Sequence, residues 1–97
     1  MASVFRMSMF GRAFATRERG AKIREAFLSH SAGEHATIDF ADIANISYSF
    51  ADEFLGVLIV DPLPDGGRRF DLVNVSPSIE RVAERAIKRR QGEFVPC

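Results

Sequence analysis

Ile38-Asp-Phe-Ala-Asp-Ile-Ala-Asn-Ile-Ser-Tyr-Ser-Phe-Ala-Asp-Glu-Phe-Leu-Gly56 is the stretch on which the fold turns. It opens within an alternating, β-prone run over residues 37–40, where Ile38 and Phe40 share one face of a strand expected at the centre of a sheet. It closes on Phe50, Phe54, Val57 and Leu58, which recur at i, i+4, i+7 and i+8 and predict an amphipathic helix. Between them, Ser49 is followed three residues later by Asp52, a capping-box spacing that sets the expected helix start. A strand running directly into a helix is the building unit of an α/β fold.

The same unit recurs on both sides. Upstream, residues 4–10 alternate loosely and read as an edge strand, with a short extended piece around residues 13–15 beyond Gly11. Thr16 is a good N-cap, and Glu18 places an anion in the first turn where the helix dipole favours it. Ala21, Arg24, Phe27 and Leu28 then share a face, which predicts a helix over residues 17–29. Downstream, Pro62 and Pro64 stop the second helix and Asp65-Gly66-Gly67 makes a turn. Residues 70–75 read as a third strand. Ser76 and Pro77 supply an N-cap and a proline at the first helical position. Ile79, Val82, Ala83, Ala86 and Ile87 form the clearest apolar stripe, in a helix running to about Arg90. The order is β-α-β-α-β-α over a single domain, residues 1–97, and implies an α/β fold with helices packed on a short mixed sheet.

Composition agrees with this reading. The 97 residues are 46% hydrophobic and 27% charged, ordinary values for one globular domain. No apolar run approaches the roughly 18–20 residues that cross a bilayer, so no membrane role is expected. Arg6, Arg12, Arg17 and Arg19 interrupt any signal-peptide core. The lone cysteine, Cys97, can form no internal disulfide, and the expectation is a reducing, cytoplasmic setting. Formal net charge is zero, yet the charges are segregated. Residues 1–33 carry six basic and two acidic side chains, residues 34–65 seven acidic and no Lys or Arg, and residues 66–97 seven basic and four acidic. Zero net charge disfavours bulk nucleic-acid binding, while the segregation hints at an acidic face flanked by basic ones.

The central stretch resembles the STAS-like domain family, whose members carry a strand ending in Asp-Phe followed by a Ser-Phe-Ala-Asp-Glu helix start. Phe14-Ala-Thr-Arg-Glu-Arg-Gly20 looks like that family's Thr/Ser-Arg motif, and Val73-Asn-Val-Ser76 like the segment before its last helix. The resemblance implies similarity to STAS anti-sigma-factor antagonists, which dock on histidine-kinase-like ATPases. Those antagonists end the loop before helix two in Asp-Ser-Ser-Gly, where a serine is phosphorylated. Aligning the shared Leu-Gly lays Ala51-Asp-Glu-Phe54 on that motif, so Asp52 and Glu53 stand in place of the switch serines. The larger fold's additional strand and helix are absent from this chain.

The expected partner-binding residues are therefore Ser47, Ser49, Phe50, Asp52 and Glu53 at the start of helix two, with Thr16 and Arg17 before helix one. Asp52 and Glu53 read either as a fixed acidic docking edge or as charges that complement the helix N-terminus. Neighbours on a helix point about 100° apart, so the two do not converge on one atom as an acid–base pair. Ser47 and Ser49 are candidate phosphosites; Ser49 reads as the N-cap, which makes Ser47 the better phosphosite of the two. Arg17 is a candidate ligand for a partner's carboxylate or phosphate.

No nucleophile–base–acid set is present, so no enzyme activity, catalytic residue or cofactor is expected. His30, His35 and Cys97 are too few and too poorly spaced for structural zinc. Arg81, Arg85, Lys88 and Arg89 line the outer side of helix three, and a nucleic-acid-binding role for that face is an alternative. Glu80 and Glu84 are interleaved and no aromatic neighbour is evident in sequence, which favours a solvated face. A nucleotide or small-ligand site at Arg17 and the strand ends is the other alternative. An exposed edge strand also makes a homodimer an option.

Overall fold

The computed structural model describes residues 3–92. Three strands, β1 (Ser3–Arg6), β2 (Ala36–Asp39) and β3 (Phe70–Val73), form one sheet in the order β1-β2-β3. Both pairings are parallel, with Phe5 beside Ile38 and Ile38 beside Leu72. The expected β-α-β-α-β-α order and the central place of β2 stand, but the sheet is parallel throughout rather than mixed. Each strand is joined to the next by a helical crossover, and such connections run right-handed, which sets the first two helices on the same side of the sheet. Phe5, Ile38 and Phe70 point to that side and are buried, while Val4, Arg6, Asp71 and Val73 are exposed on the other.

Helix α1 spans Arg17–Ser31 and is capped by Thr16, whose hydroxyl accepts from Arg19 N–H. Its buried face is Gly20, Ile23, Phe27 and Ser31. The face expected from sequence was centred on Ala21, Arg24, Phe27 and Leu28; the helix is rotated so that Gly20 meets its neighbour. Helix α3 spans Pro77–Gln91, with Ser76 accepting from Ile79 N–H and Gly92 closing the end at φ +75°. Ile79, Ala83 and Ala86 are buried, and Val82 and Ile87 pack against them, as the apolar stripe predicts.

The edge strand is shorter than its pattern suggests. Residues Met7–Phe10 leave the sheet as a 3₁₀ turn that buries Met7, and no strand forms at residues 13–15. Strand β3 stops at Val73 because Asn74 turns into the left-handed region at φ +57°. Its side-chain amide then donates to Asp39 Oδ1 at 2.9 Å, tying the ends of β2 and β3.

The second helix, α2, covers residues 48–59 in three continuous pieces: an α-turn (Tyr48–Ala51), a π-helical turn (Asp52–Gly56) and a final α-turn (Val57–Ile59). In the π turn Val57 N–H reaches back five residues to the carbonyl of Asp52. The extra residue rotates the helix beyond it, so Leu55 and Gly56 are buried along with Phe50, Phe54 and Leu58, while Val57 is only half-buried.

Phenylalanine carries the core. Phe5 packs edge-on against Phe27 at 5.4 Å, Phe27 against Phe54 at 6.2 Å, Phe54 against Phe50 at 5.7 Å and Phe50 against Phe14 at 5.3 Å. This chain of rings runs from β1 through α1 and α2 to the loop before α1, in the edge-to-face geometry aromatic quadrupoles prefer. Its far end lies beneath the candidate site.

Candidate functional site

The loop before α1 and the start of α2 meet at one edge of the molecule. Ser47 joins them. Its backbone N–H donates to Phe14 O at 3.0 Å and its hydroxyl donates to Ala15 O at 2.7 Å. The same hydroxyl oxygen accepts from Phe50 N–H at 3.0 Å, which makes Ser47 the N-cap of α2. The capping box expected at Ser49 and Asp52 does not form. Ser49 lies within the first turn, because the tertiary bonds to Phe14 and Ala15 fix the cap two residues earlier.

Asp52, one turn on, is only 7% exposed. Arg90 of α3 grips it with two bonds, Nε to Oδ1 at 2.7 Å and a guanidinium NH2 to Oδ2 at 3.0 Å. Arg17 of α1 adds a third contact to Oδ2 at 2.7 Å. The bond from Arg90 is the main influence holding the carboxyl below its usual pKa; burial opposes it, and the bond from Arg17 reinforces it. In turn Asp52 raises both arginines above their ordinary value. Glu53 extends the cluster, 3.1 Å from Arg24 and 3.6 Å from Arg17, and Arg24 also donates to the Glu53 backbone carbonyl. Two carboxylates and three guanidiniums thus bolt α1, α2 and α3 together.

Two glycines make room for this. A Cβ on Gly20 of α1 would lie 2.8 Å from Phe50 O and 3.0 Å from Glu53 Cβ, so only glycine lets α1 sit this close to α2. A Cβ on Gly56 would lie 2.7 Å from Arg90 Cγ and 3.0 Å from Asp52 Oδ1. The Arg90 stem crosses the α2 backbone there on its way to Asp52.

The expected site residues divide accordingly. Thr16 and Arg17 are exposed and Ser47 and Ser49 are part-exposed; Ser47 is bonded to Ala15, next to Thr16, and Arg17 to Asp52. Phe50, expected among them, is fully buried between Phe14 and Phe54 and supports the edge from beneath. Asp52 lies inside, and Glu53 is half-buried against Arg24. Arg90 and Arg24 are not among the site residues expected from sequence, although Arg24 is placed on the inward face of helix one. The signal was there for Arg90, a lone cation continuing the stripe Ile79, Ala83, Ala86 at helical spacing. Arg81, Arg85, Lys88 and Arg89 project from the exposed side of α3 as expected. Among the described residues no His, Cys, Asp and Glu side chains gather as a metal site, and Cys97 lies outside them. No helix among them is long and apolar enough to cross a membrane.

A family model described as a STAS-like domain of unknown function (DUF4325) matches residues 19–80. The chain belongs to this STAS-like family. The matched span covers α1 from its first turn through β3 and the start of α3, and so includes Asp52, Glu53, Arg24 and both packing glycines. Arg17 and Arg90, which complete the grip on Asp52 in this STAS-like domain, fall outside it, Arg17 before its start and Arg90 well beyond its end. Neither the curated proteins nor the solved structures searched gave a match.

Proposed function

We propose that this STAS-like domain is a regulatory module that works by binding a protein partner rather than by catalysis, through the edge formed by Thr16, Arg17, Ser47 and Ser49. The observation that carries this is the triple engagement of Ser47, which brings two sequence-distant segments into one polar surface above a rigid ionic cluster. Pre-organised edges of this kind lower the entropy lost on association. The partner in this reading is a histidine-kinase-like ATPase or a comparable signalling protein in a reducing, cytoplasmic setting. Asp52 and Glu53 serve the interface indirectly, by fixing where Arg17 stands.

Phosphorylation in this reading falls on Ser49. A phosphate on Ser47 would break both the helix cap and the bond to Ala15, whereas Ser49 is part-exposed on the first turn, near backbone N–H groups that favour an anion. The nucleotide-binding alternative at Arg17 is weakened because that guanidinium is already committed to Asp52 and Glu53.

The test is affinity capture with partners identified by mass spectrometry, comparing the native chain with Ser49→Arg and Thr16→Arg, both checked for an unchanged melting transition. A regulator retained by the native chain and lost by both variants supports the edge. Partners held equally by all three overturn it. Charge reversal at Asp52 is a poor probe, since it would break the cluster and unfold the domain.

A further inference from the structure

Three helices lie across three strands, and the two layers differ in width. α1 and α3 each pack on α2, which lies between them, so the helices follow the order of the strands. Helix axes pack about 9 Å apart and strands about 4.8 Å, so the outer helices overhang the outer strands by about 4 Å, close to one strand spacing. On the β1 flank the overhang is filled. The Phe10 ring from the 3₁₀ turn stacks on Phe5 at 5.0 Å, and His30 of α1 meets the same ring at 5.5 Å. On the β3 flank the described residues leave an open groove of about 330 Å³ between β3 and α3. Its floor is apolar, with Leu72, Val75 and Ile87 half-buried around Ala83.

The strand beside the groove has backbone bonds to offer. Ala36 N–H donates to Arg69 O and Phe40 N–H to Val73 O, both at 3.0 Å, so residues 69, 71 and 73 face β2. Phe70 and Leu72 therefore turn their N–H and C=O groups outward, along the free edge of the sheet. No proline or bulge interrupts β3 to block that edge. The charges on the rim are ordered along the groove. α3 runs back beside β3, so Lys88 comes to the end where Arg68 leads into the strand, and Glu80 stands at the other. Arg68 rests over the Phe70 ring at 5.7 Å, and Lys88 makes only a loose contact with Glu84, at 3.9 Å.

We propose that this groove takes one extended segment of another protein, added to β3 as a fourth strand beneath α3. The segment carries β-branched side chains toward Leu72 and Ile87 and an acidic residue at the end beside Arg68 and Lys88. This surface is separate from the docking edge, and the claim does not depend on that reading. Shape selects a lone strand over a second copy of the chain. Pairing β3 with its own copy about a two-fold axis would bring a second overhanging α3 into the space that the first one fills, which keeps the two edges apart. Charge selects a peptide over a polyanion. The rim sets Glu80 and Glu84 against Arg68 and Lys88, so a uniformly charged strand meets as much repulsion as attraction.

The experiment is fluorescence anisotropy on the full chain with a labelled peptide of alternating Val and Thr, Glu at one end and Lys at the other. Amide NMR spectra of the complex locate the contact. Saturable binding is expected, with the amide protons of Phe70 and Leu72 shifted and protected from exchange. Proline at alternate peptide positions removes donors from the ladder and is expected to weaken binding by about tenfold or more. Lys88→Glu, checked for an unchanged melting transition, is expected to weaken the peptide by about threefold and to matter less when Gln replaces the peptide's Glu. Ser49→Arg is expected to leave peptide binding unchanged, so this claim and the docking edge fail separately. The proposal is overturned by no saturable binding, by equal binding of the proline peptide, or by amide shifts that spare β3. A sedimenting dimer that the peptide dissociates would give the edge to a second copy and overturn it too. So would binding that appears only in Phe94→Asp/Val95→Asp, which would give the groove to the chain's own C-terminal residues.

Discussion

On α2, Asp52 is 7% exposed and is held by guanidiniums from two other helices, while on α3 Arg81 and Arg85 stand in solvent beside a tyrosine. Both regions are dense in charge. In the first, every carboxylate is answered from within the chain and the charges act as fasteners. In the second, the side chains line an open groove, where Arg85 rests on the Tyr48 ring and Lys88 makes only a loose contact with Glu84. Charge density alone therefore says little about binding. What separates the two is burial, together with whether the partners come from other elements of the same chain.

The sharpest way to break the comparison is to remove the buried acid. Asp52→Ala leaves Arg90 and Arg17 without their anion and is expected to cost about 3 kcal/mol in urea unfolding, the low end for a broken buried pair because both arginines can reach water. Arg81→Ala, on the open face, is expected to stay within about 0.5 kcal/mol. Equal effects at the two positions would erase the distinction drawn here.

Next in size are the glycines. In an exposed helix interior Gly→Ala stabilises by about 1 kcal/mol. Gly20→Ala is expected to reverse that sign and destabilise by about 2 kcal/mol, because the new methyl meets the Phe50 backbone, which cannot step aside. Gly56→Ala is expected to cost less, about 1 kcal/mol, since the methyl meets the flexible stem of Arg90. Thermal or urea unfolding of the two variants side by side checks the order.

Acid sensitivity sharpens the same contrast. Asp52 is held below its ordinary pKa chiefly by Arg90, and Asp39 chiefly by the Asn74 amide with help from Ala41 N–H. A depressed folded pKa means that the folded state favours the ionised carboxylate. Its stabilisation is fully present above the ordinary value of about 3.9 and is lost as pH falls through the lowered one. Stability is therefore expected to decline below about pH 4, and Asp52→Asn is expected to flatten that decline in part, with Asp39 contributing to what is left. An unchanged acid limb in Asp52→Asn would show that the pair carries no differential protonation. The smallest effect belongs to the surface pair: Glu84→Gln is expected to cost only a few tenths of a kcal/mol through the loose contact with Lys88, and that loss should vanish in high salt.

Much of the architecture was legible in the sequence, and particular residues show why. Thr16, Ser76 and Pro77 signal helix starts through local chemistry that needs no tertiary partner, and the α3 stripe repeats at an undisturbed helical period. The failures share a different cause. Ser49 was a plausible cap, but Ser47 took the role because it could also bond Ala15, more than thirty residues away in sequence. The face of α1 was misjudged because a glycine has no hydropathy to reveal that it marks the closest contact. The π turn of α2 leaves no local mark either. Asp52 itself carried two readings in sequence, dock or cap, and neither anticipates the ion pairs it makes inside the fold. Its arginines come from elements that flank it by thirty-five and thirty-eight residues.

A double-mutant cycle between Asp52→Ala and Arg90→Ala, followed by urea unfolding, tests the central claim most directly. The two losses are expected to be strongly non-additive, with a coupling of about 1–2 kcal/mol, because each variant already removes the same fastener between α2 and α3. Additive losses would contradict it, and would return Asp52 to the pool of charges available to a partner.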